Sequence, residues 1–146
     1  MYLNGQYRHS IDQKNRLSIP NKLRNEIGCE LVVSFPTNGT DKCLYIFSKE
    51  DWLKIVASCN ETLEGSARTK MQRRLGINSD NVTADSQGRI IINANLLKKA
   101  NIDKDVLIFG AGQRIEIWNP DEWDNLIEEE EELEENGEAV VFHMPF

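Results

Sequence analysis

Two pentapeptides decide the fold: DQKNR at residues 12–16 and DSQGR at residues 85–89. Each is an acid, three residues and an arginine, and they begin 73 positions apart. Laid over one another, they bring their surroundings into line. Leu17 meets Ile90, Ile19 meets Ile92 and Leu23 meets Leu96. Further along the offset is 71, where Ile46 meets Ile117, Phe47 meets Trp118 and Trp52 meets Trp123. The difference between the offsets is loop-sized, so the chain reads as two copies of one unit of roughly 45 residues.

The same elements recur in each copy. Strands at 6–11 and 81–84 lead into the pentapeptides, and strands at 17–19 and 90–92 leave them. A short helix follows. Pro20 suits the first turn of one and Gly28 its end, while Asn93 caps the other and Asn101 closes it. Two apolar strands come next, LVVSF with CLYIF and then VLIF with RIEIW, joined by the turns TNGTD and GAGQ. A helix ends each unit, capped by Ser48 in the first and opened by Asn119, Pro120 and Glu122 in the second. The expected class is mainly β with short helices (α+β), closed as a pseudo-twofold, two-repeat β-barrel with peripheral helices. The boundaries read as residues 1–60 for the first repeat, 61–79 for a linking helix, 80–127 for the second repeat and 128–146 for an acidic C-terminal tail. In the linker Ala67, Met71 and Leu75 recur every four residues, leaving Arg68, Lys70, Arg73 and Arg74 on other faces.

Three residues between strands make a common hairpin loop, a type I turn followed by one left-handed residue. That residue is Asn15 in one copy and Gly88 in the other. Gly meets no steric barrier there, and Asn is the next most tolerant. Asp12 and Asp85 shape the turns by accepting from their N–H groups and by facing Arg16 and Arg89 across the hairpin ends. Turn chemistry of this kind accounts for most of the second copy. The first tip is more basic, with Lys14 flanked by Arg8 and Arg16, where the second has Gln87. Basic side chains projecting from a β-ribbon suit phosphates and groove edges, Lys14 as a point charge and Arg16 as a bidentate partner for guanine.

Charge narrows the partners. The net charge is −7, but residues 121–146 hold 11 acids and no Lys or Arg, leaving 17 bases against 13 acids before them. A basic body with an acidic tail is compatible with nucleic acid. No apolar run approaches the roughly 20 residues of a membrane helix, and the start MYLNGQYRHS has no apolar signal core, which points to a mature cytoplasmic protein. Cys29, Cys43 and Cys59 form no C-x-x-C pair and read as free thiols, with Cys29 and Cys43 buried beside apolar strands. No metal site or cofactor is expected. His9 and His143 share no ligand spacing, and G-A-G at 110–112 lacks the rest of a dinucleotide fingerprint. An aspartic dyad of Asp12 and Asp85 is disfavoured, because neither sits in D-[ST]-G and each has an arginine four residues on. The apolar end AVVFHMPF, with Val140, Phe142, Met144 and Phe146, reads as a segment that docks on a neighbouring subunit, with disorder as the competing reading.

YRHSIDQKNRLSIP, DKCLYIF, DSQGRIIIN and GAGQRIEIW closely resemble the MraZ family of bacterial transcriptional regulators, in the AbrB-like swapped-hairpin class. The resemblance runs from about residue 1 to Trp123. It implies a two-repeat swapped-hairpin β-barrel assembled into a ring-shaped homo-oligomer that acts at the nucleoid. It implies double-stranded DNA with short direct repeats as partner, upstream of the division and cell-wall gene cluster and including the protein's own promoter. The implied contacts lie at the first motif, Lys14 and Arg16 with Arg8 and Asn15 beside them, and at Arg89 in the second; Asp12, Asp85 and Gly88 shape the turns. Asn15 departs from the glycine usual at its position, and the acidic tail matches nothing transferable. The competing reading is an AbrB-like antitoxin or protein-interaction module without promoter-specific binding.

Overall fold

The computed structural model describes residues 1–37, 41–138 and 145. These described residues form eight strands and five helices. The first half holds β1 (Gln6–Ser10), β2 (Arg16–Ser18), α1 (Asn21–Ile27), β3 (Glu30–Ser34), β4 (Leu44–Ser48) and α2 (Lys49–Thr62). After α3 (Gly65–Ile77) the order recurs: β5 (Ser79–Thr83), β6 (Arg89–Ile91), α4 (Ala94–Lys99), β7 (Asp105–Gly110), β8 (Ile115–Trp118) and α5 (Pro120–Glu135). Local chemistry sets several of these ends. Ser48 accepts from the Asp51 N–H at 3.1 Å, Asn93 from Asn95 at 2.8 Å and Asn119 from Asp121 at 2.9 Å. Asn101 closes α4 at a φ of +55°.

The strands form one six-stranded antiparallel sheet, in the order β1-β7-β8-β4-β3-β5, and a separate two-stranded ribbon of β2 with β6. The two halves interleave. β1 pairs with β7, β5 with β3, β4 with β8 and β2 with β6. In the ribbon Leu17 stands opposite Ile90, and in the sheet Tyr45 stands opposite Glu116.

Two expectations are corrected here. β1 and β2 are not partners in an ordinary hairpin. The turn between them closes, but beyond it the strands part, β1 to the main sheet and β2 to the ribbon. A closed barrel is also not found among the described residues, for β1 and β5 are the two ends of an open sheet. The ribbon strands are too short to bridge that opening. Each has three residues, and β2 is stopped by Pro20, which has no N–H to extend a ladder.

The layers follow from strand alternation. One face of the sheet (Leu31, Val33, Leu44, Ile46, Ile108, Ile117) packs against Leu17 and Ile90 of the ribbon, Leu23 of α1 and Leu96 of α4. Full burial of a Leu or Ile contributes roughly 1.5–3 kcal/mol, which fixes the ribbon with its other face outward. The opposite face carries Cys43, Tyr45, Leu107 and Trp118 under Trp123 and Leu126 of α5. Phe47 contacts Trp52 at 5.6 Å between ring centroids, and Trp118 contacts Trp123 at 5.2 Å, so the matched aromatic positions make matched contacts. Cys29, expected to be buried, is exposed between the end of α1 and the first residue of β3, whereas Cys43 is buried. The linking helix α3 is present but buries no residue, so the Ala67, Met71 and Leu75 stripe is not a core face of this chain. The C-terminal apolar residues Val140, Phe142, Met144 and Phe146 lie outside the described residues.

Candidate nucleic-acid interface

The two pentapeptides fold alike, bond for bond. Asp12 Oδ1 accepts the backbone N–H groups of Lys14 and Arg16, each at 2.9 Å, and Asp85 Oδ1 accepts those of Gln87 and Arg89, each at 2.9 Å. The second carboxylate oxygen takes the arginine Nε–H, at 2.7 Å for Arg16 and 2.9 Å for Arg89. Asn15 N–H donates to the Asp12 carbonyl and Gly88 N–H to that of Asp85, with φ of +59° and +77° at the donors. These contacts hold both carboxyls below their ordinary value of 3.8, the backbone N–H of the arginine acting most strongly. Each Asp is therefore a fixed anion that orients its arginine and leaves the guanidinium's terminal nitrogens to reach outward.

The ribbon brings the two arginines onto one face. Alternation buries Leu17 and Ile90 and turns Arg16, Ser18, Arg89 and Ile91 the other way. The arginines match in environment too, with side chains 31% and 32% exposed. They line one cleft of about 460 Å³, with Asn81 and Thr83 of β5 beside them. The turns lie at opposite ends of the ribbon, because Ile92 N–H donates to the Asn15 carbonyl and Ile19 N–H to that of Gly88, both at 2.9 Å. Lys14 is exposed at one tip and Gln87 at the other. Arg8, by contrast, is exposed on β1 and lines a separate cleft with Asp103, Asp105 and Asp121.

Arg24 was not among the sequence-predicted contacts. It lies on α1, yet its guanidinium occupies the space that a side chain at Gly88 would need, and its Nη2 donates to Asn21 Oδ1 at 2.7 Å. The second tip thus has a cation supplied by the other half of the chain. In the sequence Arg24 is one of five bases in the first 24 residues, with Arg8, Lys14, Arg16 and Lys22, but nothing there signals a neighbour 64 residues away.

Elsewhere, Asp41, Cys43 and Glu116 lie close enough to share a metal ion. Their chemistry favours a closed polar network instead. Tyr45 OH donates to Asp41 at 2.5 Å, while Arg114 Nε and Trp118 Nε1 donate to Glu116 at 3.0 and 2.9 Å. Burial, with Glu116 and Asp41 nearby, pushes the Cys43 thiol up and disfavours the thiolate a metal would need.

The family model described as "MraZ protein, putative antitoxin-like" matches residues 2–75 and 77–142. The chain belongs to the MraZ family. The match covers both turns, the ribbon and all of α5, and so extends past Trp123 through the acid run. Relatives agree. The protein from Clostridium tetani (strain Massachusetts / E88), named "Transcriptional regulator MraZ", is 37% identical over 125 residues, covering 82% of this chain and 83% of that protein. Proteins of the same name from Syntrophomonas wolfei subsp. wolfei and Spiroplasma kunkelii are 34% and 37% identical, covering 90% and 92% of this chain and 94% of each relative. Among the described residues no helix is long and apolar enough to cross a membrane.

Proposed function

We propose that this chain is a sequence-specific DNA-binding transcriptional regulator, like the relatives named for that role. The observation that carries the reading is the outer face of the β2–β6 ribbon, where Arg16 and Arg89 lie diagonally across from one another and line one cleft, each oriented by its own aspartate. A two-stranded ribbon fits the major groove, and arginine there pairs bidentately with guanine O6 and N7. Lys14 and Arg24 at the two tips neutralise phosphates, Asn15 donates a hydrogen bond to one, together they set the register, and Arg8 reaches the backbone from the flank. The interleaved pairing of the halves supports a swapped-hairpin origin for the fold, two repeats joined by α3.

One ribbon makes few contacts. Several ribbons on a ring-shaped homo-oligomer, meeting short direct repeats, gain effective concentration worth roughly 10²–10⁴ in affinity. The target is the promoter of the division and cell-wall gene cluster, including the protein's own gene, and the site of action is the nucleoid. No catalytic step is assigned. Footprinting of the upstream DNA tests the reading: protection of spaced direct repeats supports it, and protection without sequence preference would favour the antitoxin or protein-interaction alternative.

A further inference from the structure

One side chain on the ribbon's outer face is of the wrong kind for a purely electrostatic surface. Ile91 is 63% exposed, flanked by Arg16, Ser18 and Arg89. A single exposed Ile means little on an arbitrary surface. Its place here is not arbitrary. Alternation turns position 91 outward with the two arginines, while its sequence neighbours Ile90 and Ile92 supply the core. The matching position of the first copy is Ser18, small and polar. The ribbon therefore pairs Arg16 with Ile91 at one end and Arg89 with Ser18 at the other.

We propose that Ile91 is a specificity-determining residue that contacts the C5-methyl of a thymine in the major groove, next to the base read by Arg16. The inference rests on the DNA-binding reading of the same face. The thymine methyl is the one apolar group that base edges display in the major groove. Opposed residues on antiparallel strands hold their Cβ atoms about 4.5–5.5 Å apart, between one and two of the roughly 3.4 Å steps of stacked bases. Arg16 and Ile91 are such a pair, so their contacts fall on adjacent base pairs. Ser18 offers a hydroxyl to the base beside the one that Arg89 reads, and a hydroxyl accepts a wider range of bases. The ribbon consequently has a direction despite its symmetric backbone, which suits targets repeated head to tail.

The test uses the full-length protein and duplexes from its own upstream DNA, with each thymine replaced in turn by deoxyuridine. That replacement removes the methyl group and nothing else. For the unmodified protein one position should weaken binding about fourfold, the worth of one buried methyl group. Ile91→Ser should lose a similar factor on unmodified DNA and become indifferent to uracil at that position. Ile91→Val, which keeps a branched apolar tip, should retain the dependence. Because Ile91 is largely exposed, the urea midpoint should not move in either variant. Uracil sensitivity persisting in Ile91→Ser, or absent from the unmodified protein while it still prefers its upstream DNA, would overturn the inference alone. A changed oligomer mass in Ile91→Ser would assign the residue to a subunit contact and also overturn it. Failure of the unmodified protein to prefer upstream DNA at all would remove the reading beneath it.

Discussion

Gly88→Ala probes how the second turn is held and what it presents. Gly88 has a φ of +77°, and a residue with a Cβ is disfavoured there by roughly 1–2 kcal/mol. The added methyl also enters the space filled by the Arg24 guanidinium. That group is the far end of a flexible side chain, so it swings aside and gives up its 2.7 Å bond to Asn21. Loss of such a bond costs about 0.5–1.5 kcal/mol, giving a total of about 1.5–3.5 kcal/mol. Arg24→Ala separates the contributions in a double-mutant cycle, since only the backbone cost remains in that background. Gly88→Asn should be milder than Ala, because Asn tolerates the left-handed region as it does at position 15. Urea unfolding followed by tryptophan fluorescence, at one protein concentration, reads all three. Wild-type stability in Gly88→Ala, or an undiminished penalty in the Arg24→Ala background, would refute this account of the turn.

Other consequences concern charge. Asp12 and Asp85 have depressed folded pKa values. Their contribution to stability is present above the ordinary carboxylate value and is lost as pH falls through the folded one. The urea midpoint should therefore drop as pH falls below 3.8, and Asp12→Asn with Asp85→Asn should flatten that decline. Glu116→Ala removes the acceptor of both Arg114 and the buried Trp118 indole N–H. It should cost about 2–4 kcal/mol by the same assay. Glu116→Gln keeps an acceptor for Trp118 and should cost less.

What the sequence disclosed was local chemistry and repetition. Asp12, Asn15 and Arg16 lie within one turn, and so do Asp85, Gly88 and Arg89, so side-chain capping and one left-handed residue could be read from spacing alone. The caps at Ser48, Asn93 and Asn119 were legible for the same reason. Partner choice was not. Alternation says which face of β1 is apolar but not whether β2 or β7 takes its backbone hydrogen bonds, so the hairpin and the closed barrel were misjudged. Cys29 borders an apolar strand, yet exposure there depends on where the chain leaves α1. Arg24 reaches Gly88 only because the halves interleave, a long-range fact with no short-range signature.

The most direct measurement is the salt dependence of binding to upstream DNA, for the unmodified protein and for Lys14→Ala with Arg16→Ala. Each phosphate neutralised contributes about −0.9 to the slope of log K against log salt concentration. The double variant should bind more weakly, show a shallower slope by about 1 for each Lys14 in contact, and prefer upstream over unrelated DNA by a ratio at least about tenfold smaller. Unchanged slope and unchanged preference in a correctly folded variant would contradict the assignment of the ribbon as the DNA-binding surface.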